Sequence, residues 1–215
     1  SKSPPVPFSD ANAQIIERCG TKISSAVATF LASHKQSSRI EGFKWEFKLV
    51  QDNTINAWCM PGGKVVFYTG ILPLTIDENG AAVVMGHEIA HAVARHGNER
   101  MSQQLLVTLG GMTLDVALQQ KPEETRNIFL QSYGVGSTLG VLAYSRTYEY
   151  EADKLGLIFV AMAGYDPNHA VAFWERMAKL GGAKPPAFLS THPSDEKRIA
   201  AMKAFMPEAM KYYKK

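Results

Sequence analysis

The sequence predicts an α+β fold that is mostly helical and contains a small antiparallel sheet. Three observations predict it: an amphipathic helix near the N-terminus, alternating apolar and polar residues over 45–68, and helical periodicity over most of the chain after residue 78. The 215 residues, 46% of them hydrophobic, are enough for a buried core. We expect one domain over 1–215 with residues 1–8 as a tether-like N-terminus, although two small lobes would also fit.

The first predicted element is a helix that follows a Pro-rich start. Apolar residues recur at helical spacing over 15–31, and Ser9 or Asp10 is available as the N-cap. Cys19 continues the apolar face of this helix, which favours a buried free thiol. A disulfide between Cys19 and Cys59 stays open.

The predicted sheet follows the first helix. Apolar and charged side chains alternate over 45–49, as they do in a half-buried strand. Ala57–Met60 and Lys64–Tyr68 flank a Pro-Gly-Gly turn, which is typical of a hairpin. A small antiparallel sheet follows from this pattern.

The rest of the chain is predicted to be helical. One helix begins near Glu78 and continues through Ser102 and beyond. Gly164 is placed to end a later helix as a C-terminal cap residue. The further helices are expected over 124–144, 147–163, 167–180 and 194–205.

Charge, hydropathy and cysteine content indicate which partners and compartments the sequence supports. The formal charge is +3 and the Lys and Arg residues are scattered, so no nucleic-acid partner is predicted. We recognise no signal segment and no confident bilayer-spanning run, and the uncharged stretch 127–144 is expected to be a buried helix. Two cysteines are too few for a disulfide framework, which leaves the compartment open.

The main candidate site lies in the helix that begins near Glu78. The segment His87-Glu88-x-x-His91 places two imidazoles four residues apart, one above the other on a helix face. Both can then bind one Zn²⁺, while Glu88 reaches a bound water as general base. The alternative is a pair of buried histidines satisfied by hydrogen bonds.

A catalytic zinc needs a third protein ligand and an open position for water. His96 follows His91 by five residues, but in a continuing helix its side chain faces about 140° away, so we reject it as a ligand. Glu149 and Asp153 are again four residues apart on a predicted helix. One carboxylate would complete the metal site and the other would accept the N–H of a ligating imidazole. A solvated acidic turn is the alternative.

At these motifs the chain resembles the gluzincin zinc metallopeptidases, a family that includes the HtpX heat-shock protease, the CAAX prenyl proteases, the mitochondrial Oma-type protease and periplasmic relatives such as BepA and LoiP. The resemblance covers most of 50–205 and is strongest at His87-Glu88-x-x-His91 and Glu149-x-x-x-Asp153. It implies a zincin-like metalloprotease fold with the sheet beside the active-site helix and one Zn²⁺ per chain. It also implies that Glu149 is the third ligand and that Asp153 is the partner of His87.

Two further matches extend the resemblance. Residues 56–63 look like the family's Asn-Ala-x-x-x-Pro-Gly-Gly strand, so Asn56 and Ala57 would lie on an edge to which a peptide substrate adds in extended form. A turn residue is the alternative for Asn56. His192, which precedes a proline, and Arg198 match the family's late His and Arg and would stabilise charge on the substrate carbonyl oxygen. The alternatives are a helix-start turn for His192 and carboxylate binding for Arg198, and a resting enzyme with His192 in the open zinc position is a further hypothesis.

The resemblance implies a zinc-dependent endopeptidase that hydrolyses misfolded or envelope proteins in protein quality control. The alternative is a zinc-stabilised, chaperone-like factor that binds polypeptide with little or no cleavage. Glu88 favours catalysis, because a structural zinc site needs no base.

The stretches 105–118 and 128–144 depart from the membrane-integral members of the family. Those members carry long apolar helices, whereas these stretches are short and interrupted by glycines, which favours a soluble or peripherally membrane-associated form. The two stretches would either form a lip that meets apolar substrate or pack as ordinary helices. The resemblance and the tether-like start indicate the periplasm or outer membrane of a bacterium, with the mitochondrion as the alternative.

Overall fold

The computed structural model describes residues 3–181, 185–193 and 196–214, apart from the side chain of Tyr144. The chain divides into two compact units, which we call the core unit (Ser1–Ala94 and Glu149–Lys215) and the hairpin unit (Arg95–Tyr148). The single-domain organisation stays a prediction.

The described residues form eight α-helices and three strands, which confirms the mostly helical α+β fold. The helices are α1 (Ala11–Ser33), α2 (Leu72–Thr75), α3 (Glu78–Ala94), α4 (His96–Ala117), α5 (Glu123–Met162), α6 (His169–Lys179), α7 (Ala187–Thr191) and α8 (Glu196–Ala209). The strands are β1 (Glu46–Val50), β2 (Ala57–Met60) and β3 (Lys64–Tyr68). Short 3₁₀ turns cover Ser37–Ile40, Thr69–Ile71 and Met210–Tyr212.

The predicted first helix is confirmed as α1. The Asp10 carboxylate caps it by accepting the backbone N–H groups of Asn12 and Ala13. One face of the helix, which includes Ile16 and Ile23, is fully buried and packs against β1 and α3. The helical spacing of apolar residues therefore identified the core-facing side correctly.

The sheet has the strand order β1-β3-β2 and is mixed. β2 and β3 form the predicted antiparallel hairpin, whereas β1 runs parallel to β3, so the expectation of a wholly antiparallel sheet was wrong for β1. Alternation of side chains indicates which face is buried and says nothing about strand direction. β3 lies between β1 and β2, and the connection over 51–56 leads from one outer strand to the other.

The two edges of the sheet differ. At the β1 edge, the Val6 N–H donates to the Leu49 carbonyl at 2.8 Å, and Pro5 forms a bridge with Val50. In the described part of the chain β2 pairs with β3 alone, and it packs against α3. The open edge of the sheet is therefore the one beside the His-Glu-x-x-His helix.

α3 and the C-terminal part of α5 approach each other at two glycines. A Cβ on Gly86 would lie 2.8 Å from Val160 Cγ2 and 3.0 Å from the Gly156 carbonyl oxygen, and a Cβ on Gly156 would lie 3.0 Å from the His87 backbone nitrogen. Such distances leave no room for a side chain, so the two backbones pack directly against each other. This contact places the His-Glu-x-x-His segment beside the carboxylates of α5.

The helix expected to continue past Ser102 is broken at Arg95, whose φ is 65°. Arg39 Nη1 donates to the Val93 carbonyl at 3.3 Å and so satisfies one carbonyl that the end of α3 exposes. The left-handed position that ends α3 holds Arg95 and not the usual Gly, so the sequence did not reveal the break. The angular argument against His96 assumed a continuous helix and was wrong in that premise.

The helices predicted over 124–144 and 147–163 form a single helix, α5. Gly164 ends it as predicted, with a φ of 83°, and the Tyr165 N–H donates to the Val160 carbonyl at 3.1 Å. The two residues between the predicted helices, Ser145 and Arg146, are neither Gly nor Pro, so the helix continues through them.

The remaining helices follow the prediction closely. α6 corresponds to the helix predicted over 167–180, and α8 to the one predicted over 194–205, whose first two residues lie outside the described chain. α7 was not predicted, because five residues are too few for a periodic pattern.

In the hairpin unit, α4 packs beside the first part of α5. The Tyr133 hydroxyl donates to the Val107 carbonyl at 2.9 Å, and a Cβ on Gly110 would lie 2.2 Å from that hydroxyl oxygen. Apart from His96 and Tyr148, every described side chain of this unit is at least partly exposed. The hairpin unit therefore has almost no core of its own.

Many large apolar side chains of the hairpin unit are exposed, so the expectation of a buried helix over 127–144 was wrong as to burial. Those at least half exposed are Met101, Leu105, Leu106, Leu109, Met112, Val116, Ile128, Phe129, Val135, Leu139 and Leu142. Among the helices described, none combines the length and the hydropathy needed to cross a bilayer.

Candidate metal centre

α3 presents His87 and His91 on one face. Their Nε2 atoms lie 3.1 Å apart, and the two ring planes are inclined by 81°. This is the arrangement that a four-residue spacing on a helix predicts.

Glu149, on α5, lies opposite both imidazoles. Its Oε2 is 3.3 Å from His87 Nε2, and its Oε1 is 3.2 Å from His91 Nε2. A tetrahedral ion with ligands at about 2.0–2.1 Å holds neighbouring donor atoms about 3.3 Å apart. The three donor atoms have the separations that one zinc ion requires.

His192, which follows α7, supplies a fourth donor atom. Its Nδ1 lies 3.1 Å from His87 Nε2, and 3.2 and 3.1 Å from Glu149 Oε1 and Oε2. Donor atoms from His87, His91, Glu149 and His192 all lie within 4.8 Å of one another. Imidazole nitrogens with one carboxylate are donors that suit zinc, so zinc is the cofactor that this group fits.

Burial and hydrogen bonding have opposite effects on the pKa values of the residues in this donor group. Burial works against the Glu149 charge, but hydrogen bonds with His192, His87 and His91 hold the pKa of that carboxyl well below its usual range. Burial also disfavours a charged His87, yet hydrogen bonds with Asp153 and Glu149 raise its pKa to about 9. For His91, burial prevails and lowers the pKa to about 3. Glu149 is therefore ionised at neutral pH, as a metal ligand must be.

Asp153 lies one helical turn after Glu149 and contacts the far side of the His87 ring. Its Oδ1 is 3.0 Å from His87 Nδ1, which places the hydrogen on Nδ1 and leaves Nε2 to face the donor group. Arg198 donates to the same carboxylate from Nε at 2.6 Å and from Nη2 at 2.7 Å. Burial works against the Asp153 charge, but Arg198 keeps its pKa below the usual value.

Arg198 is 2% exposed and also contacts the ligand carboxylate. Its Nη1 lies 3.0 Å from Glu149 Oε2 and donates to the Pro193 carbonyl at 3.1 Å. These contacts match carboxylate binding, one of the two roles considered for this residue. Contact between Arg198 and the substrate oxygen stays a prediction.

Trp174 is a residue of the site that the sequence did not single out. The centre of its ring lies 3.7 Å from the Arg198 guanidinium carbon and 5.3 Å from the centre of the His87 ring. The amphipathic spacing of α6 marks Trp174 as a core residue. No local pattern indicates which polar groups it contacts.

Glu88 is buried beside the donor group. Its Oε1 lies 3.3 Å from His192 Nε2 but has no hydrogen-bond partner among the residues described. Burial raises the pKa of Glu88, while the backbone amide of Cys59 on β2 is among the groups that lower it. A buried carboxylate oxygen without a partner is costly, so the site favours a water or substrate that supplies the missing hydrogen bond.

Asn56 and Ala57 stand at the start of β2. The Asn56 carbonyl accepts the Tyr68 N–H at 3.1 Å, so the Asn56 backbone faces β3, and the backbones of Ala57 and Cys59 face the open edge. The Asn56 side-chain oxygen accepts the Ala57 N–H at 3.0 Å. The roles of Asn56 and Ala57 in substrate binding stay predictions.

His96 belongs to the hairpin unit and is not in the donor group. Its buried ring stacks on Tyr148, with the ring centres 4.6 Å apart and the planes inclined by 22°. The contact joins α4 and α5 within the hairpin unit, so His96 serves helix packing there.

Both cysteine thiols are free. Cys19 is buried on α1, and burial raises its pKa to about 12. Cys59 is half-buried on β2, and burial raises its pKa as well. Thiols with raised pKa values are poor nucleophiles, so neither thiol suits a catalytic role.

Comparison with known proteins gives a consistent family. The profile of Peptidase family M48 matches residues 21–206. The chain is 40% identical over 178 residues to the mitochondrial metalloendopeptidase OMA1 of Schizosaccharomyces pombe, covering 80% of this chain and 50% of that protein. It is 30% identical over 198 residues to the mitochondrial metalloendopeptidase OMA1 of Homo sapiens, covering 88% and 37%. It is 28% identical over 185 residues to the beta-barrel assembly-enhancing protease of Escherichia coli, covering 84% and 37%.

The chain thus spans half or less of the length of these three relatives, which come from mitochondria and from a bacterium. The resemblance inferred from the two motifs is confirmed at the level of the family. The matched residues include the whole donor group and Glu88, and on these grounds the chain belongs to peptidase family M48.

Proposed function

We propose that this chain is a zinc-dependent endopeptidase that hydrolyses peptide bonds of misfolded or envelope proteins in protein quality control. The observation that carries the proposal is Glu88, a buried carboxylate beside a donor group that fits zinc. A purely structural zinc site would need no such base. The names of the relatives, metalloendopeptidase and protease, support the same activity.

His87, His91 and Glu149 are the proposed ligands of one zinc ion per chain. Their donor atoms are separated by 3.1–3.3 Å, which suits a single small ion. When bound, zinc lowers the pKa of a water molecule and polarises the substrate carbonyl.

Glu88 is the proposed general base. It accepts a proton from the attacking water and then donates that proton to the leaving amine, so one carboxyl group serves both steps. Its burial raises its pKa, which strengthens it as a proton acceptor.

Asp153 and Arg198 are proposed to hold His87 in one orientation. Asp153 accepts the imidazole N–H, and Arg198 fixes Asp153 with two hydrogen bonds. Loss of such a partner lowers metal affinity about 10–100-fold. The burial of Arg198 favours this holding role over direct contact with the substrate oxygen.

His192 is proposed to occupy the fourth donor position at rest and to act as a hydrogen-bond donor to the substrate oxygen after it moves. A position filled by His192 leaves no room for the attacking water. We expect His192→Ala to keep one zinc per chain, because three protein ligands remain. Cleavage rises if blocking dominates and falls about 10²–10³-fold if the donor role dominates. Unchanged cleavage by a variant that keeps its zinc would contradict both roles.

The substrate is proposed to add as an extended strand to the open edge of β2 at Asn56 and Ala57. The Ala57 carbonyl faces this edge, while the Asn56 side chain holds the Ala57 N–H. Asn56→Ala should raise KM more than it lowers kcat, because it disturbs binding and leaves the base and the ligands in place. Steady-state kinetics on a peptide substrate measures this, and an unchanged KM would contradict it.

Peripheral membrane association is proposed for the hairpin unit. It exposes large apolar side chains such as Leu105 and Leu106, and the stretch 127–145 carries no charged side chain. Exposed apolar side chains of this size, when they group on one surface, mark sites of protein or membrane interaction. Sedimentation with liposomes of bacterial lipids should recover the wild-type protein in the pellet and leave a Leu105→Ser, Leu106→Ser variant in the supernatant. Equal recovery of the two proteins would contradict the association.

The proposed location is the periplasm or outer membrane of a bacterium, with a mitochondrion as the alternative. The protease of Escherichia coli supports the first and the OMA1 proteins support the second. Fractionation of the source cells decides between them.

The decisive experiment measures zinc content and casein hydrolysis for wild type, chelator-treated protein and Glu88→Gln. We expect one zinc per chain and cleavage by wild type alone. Glu149→Gln and Glu151→Gln form a matched pair two residues apart: the first should lose zinc, and the second, whose carboxylate is exposed, should keep zinc and activity.

Each contradictory outcome has its own meaning. If zinc binds but wild type cleaves no better than Glu88→Gln, the chaperone-like alternative is favoured. If no zinc binds, the proposed metal site is wrong.

A further inference from the structure

Trp174 lies where three parts of the metal centre meet. Its side chain is 1% exposed, and one face carries the Arg198 guanidinium with 3.7 Å between the guanidinium carbon and the ring centre. The His87 ring approaches at 5.3 Å with the planes inclined by 71°. Phe188 stacks on Trp174 at 5.7 Å, and the Phe188 ring lies 4.8 Å from that of His192.

The contact between Trp174 and Arg198 sets the plane of the guanidinium, which the hydrogen bonds of Arg198 do not set. The planar guanidinium must point Nε and Nη2 at Asp153 while Nη1 reaches Glu149. Hydrogen bonds orient the edges of such a group, whereas a flat aromatic surface sets its plane. The indole of Trp174, itself 1% exposed, supplies that surface.

The contact with His87 acts on the ring that carries a proposed zinc ligand atom. Asp153 fixes the position of Nδ1 of that ring. A single hydrogen bond still allows the ring to rotate about the line of that bond. A neighbouring aromatic ring in an edge-to-face arrangement limits this rotation. Asp153 and Trp174 together leave His87 one orientation.

We propose that Trp174 is a positioning residue of the zinc site, which sets the plane of the Arg198 guanidinium and the orientation of the His87 ring. The inference rests on the proposed zinc ligands and adds a residue to them. Trp174 is not one of the donor residues, and its action is through Arg198 and His87.

A plain core residue would fill space without affecting zinc, and Phe173 is the matched case. It is fully buried on the same helix, and its described ring contacts are with Trp174 at 5.3 Å and Phe188 at 6.4 Å. Truncation of either residue leaves a cavity in the same aromatic cluster. Trp174 alone of the two has described contacts with His87 and Arg198.

The first test is zinc affinity, measured by competition with a chromogenic chelator. We expect Trp174→Leu to weaken binding about 10-fold or more, as loss of an outer partner of a ligand does. Trp174→Phe, which keeps a smaller aromatic face, should recover most of the affinity, and Phe173→Leu should stay within about twofold of wild type. A folded Trp174→Leu protein with wild-type affinity overturns the inference, and so does an equal loss in Phe173→Leu.

The second test keeps Trp174 in place and so does not depend on a tolerated truncation. In a Trp45→Phe, Trp58→Phe protein, Trp174 is the remaining tryptophan. Its emission should change on zinc addition and saturate at one equivalent, because the ion orders His87 and Arg198 against the indole. Emission that ignores zinc, while the chelator reports binding, overturns the inference and leaves the proposed function intact. A protein that binds no zinc overturns both.

Discussion

The core unit and the hairpin unit use charged and apolar residues in opposite ways. In the core unit, Glu149, Asp153 and Arg198 are each at most 5% exposed and compensate one another's charges. In the hairpin unit, the ion pair between Arg126 and Asp115 is more than one-third exposed. The hairpin unit instead exposes its large apolar side chains.

The difference shows where each unit obtains its stability. The core unit buries costly charges in a network that also holds the metal site, so stability and function depend on the same contacts. The hairpin unit depends on local helix formation and a few contacts between α4 and α5, such as Tyr133 with Val107. Matched substitutions in the two units should therefore have very different effects.

Removal of an arginine gives the largest expected contrast. Arg198→Met leaves the Asp153 and Glu149 carboxylates buried without the guanidinium that contacts both, and we expect a loss of about 3–5 kcal/mol in the free energy of unfolding. Arg126→Met removes the partner of an exposed carboxylate, Asp115, and should cost about 0.2–1 kcal/mol. Urea denaturation of the metal-free proteins measures both.

Equal losses in the two arginine variants would break the comparison. They would show that burial does not set the strength of these pairs. A double variant, Arg198→Met with Asp153→Asn, serves as the control, since removing both charges should recover part of the stability.

Glycine substitutions give the next largest contrast. A methyl group on Gly86 meets Val160 at 2.8 Å, so Gly86→Ala must push α3 from α5 and should cost about 1–3 kcal/mol. A methyl group on Gly140 meets nothing within 4 Å, so Gly140→Ala should stabilise the helix by about 0.5–1 kcal/mol. Thermal unfolding with zinc analysis should show a lowered Tm and reduced zinc content for Gly86→Ala alone.

A stable Gly86→Ala protein with full zinc content would show that the approach of α3 to α5 is not what aligns the site. Gly164→Ala is a useful third variant, because its strain comes from a φ of 83° at the end of α5 and not from a neighbour. It should lower stability without changing zinc content.

The parts of the site that the sequence predicted are those where spacing translates directly into geometry. His87 and His91 face one ion because residues four apart share a helix face, and the same rule places Glu149 and Asp153 together. The assignment of Glu149 as a ligand and of Asp153 as the hydrogen-bond partner of His87 required the family resemblance. The donor distances now agree with both assignments, whose roles stay predictions.

The parts that were missed depend on contacts between distant residues. The break at Arg95 carries no local signal, and Arg39 binds the end of the preceding helix. β1 is parallel to β3 because β3, and not β2, lies beside it in the sheet, and strand order is not encoded in the pattern of any one strand. Trp174 is placed against Arg198 by the packing of α6 and α8, which no pattern within either helix encodes.

The ion pair between Arg18 and Glu78 is exposed but belongs to the core unit. It tests whether burial, and not membership of the core unit, makes the stability loss of Arg198→Met larger than that of Arg126→Met. Arg18 donates to Glu78 at 2.9 Å from Nε, and this hydrogen bond lowers the pKa of Glu78. A lowered carboxyl pKa stabilises the fold above the unfolded value of about 4.3 and stops doing so as the pH falls through the folded value. The difference in unfolding free energy between wild type and Glu78→Gln should therefore be constant above about pH 5 and shrink below about pH 4.

Because Arg18 is half exposed, we expect this effect to be far smaller than that of Arg198→Met and close to that of Arg126→Met. Urea titrations of metal-free protein from pH 3 to pH 7 measure it, and a loss as large as that of Arg198→Met would show that membership of the core unit outweighs burial.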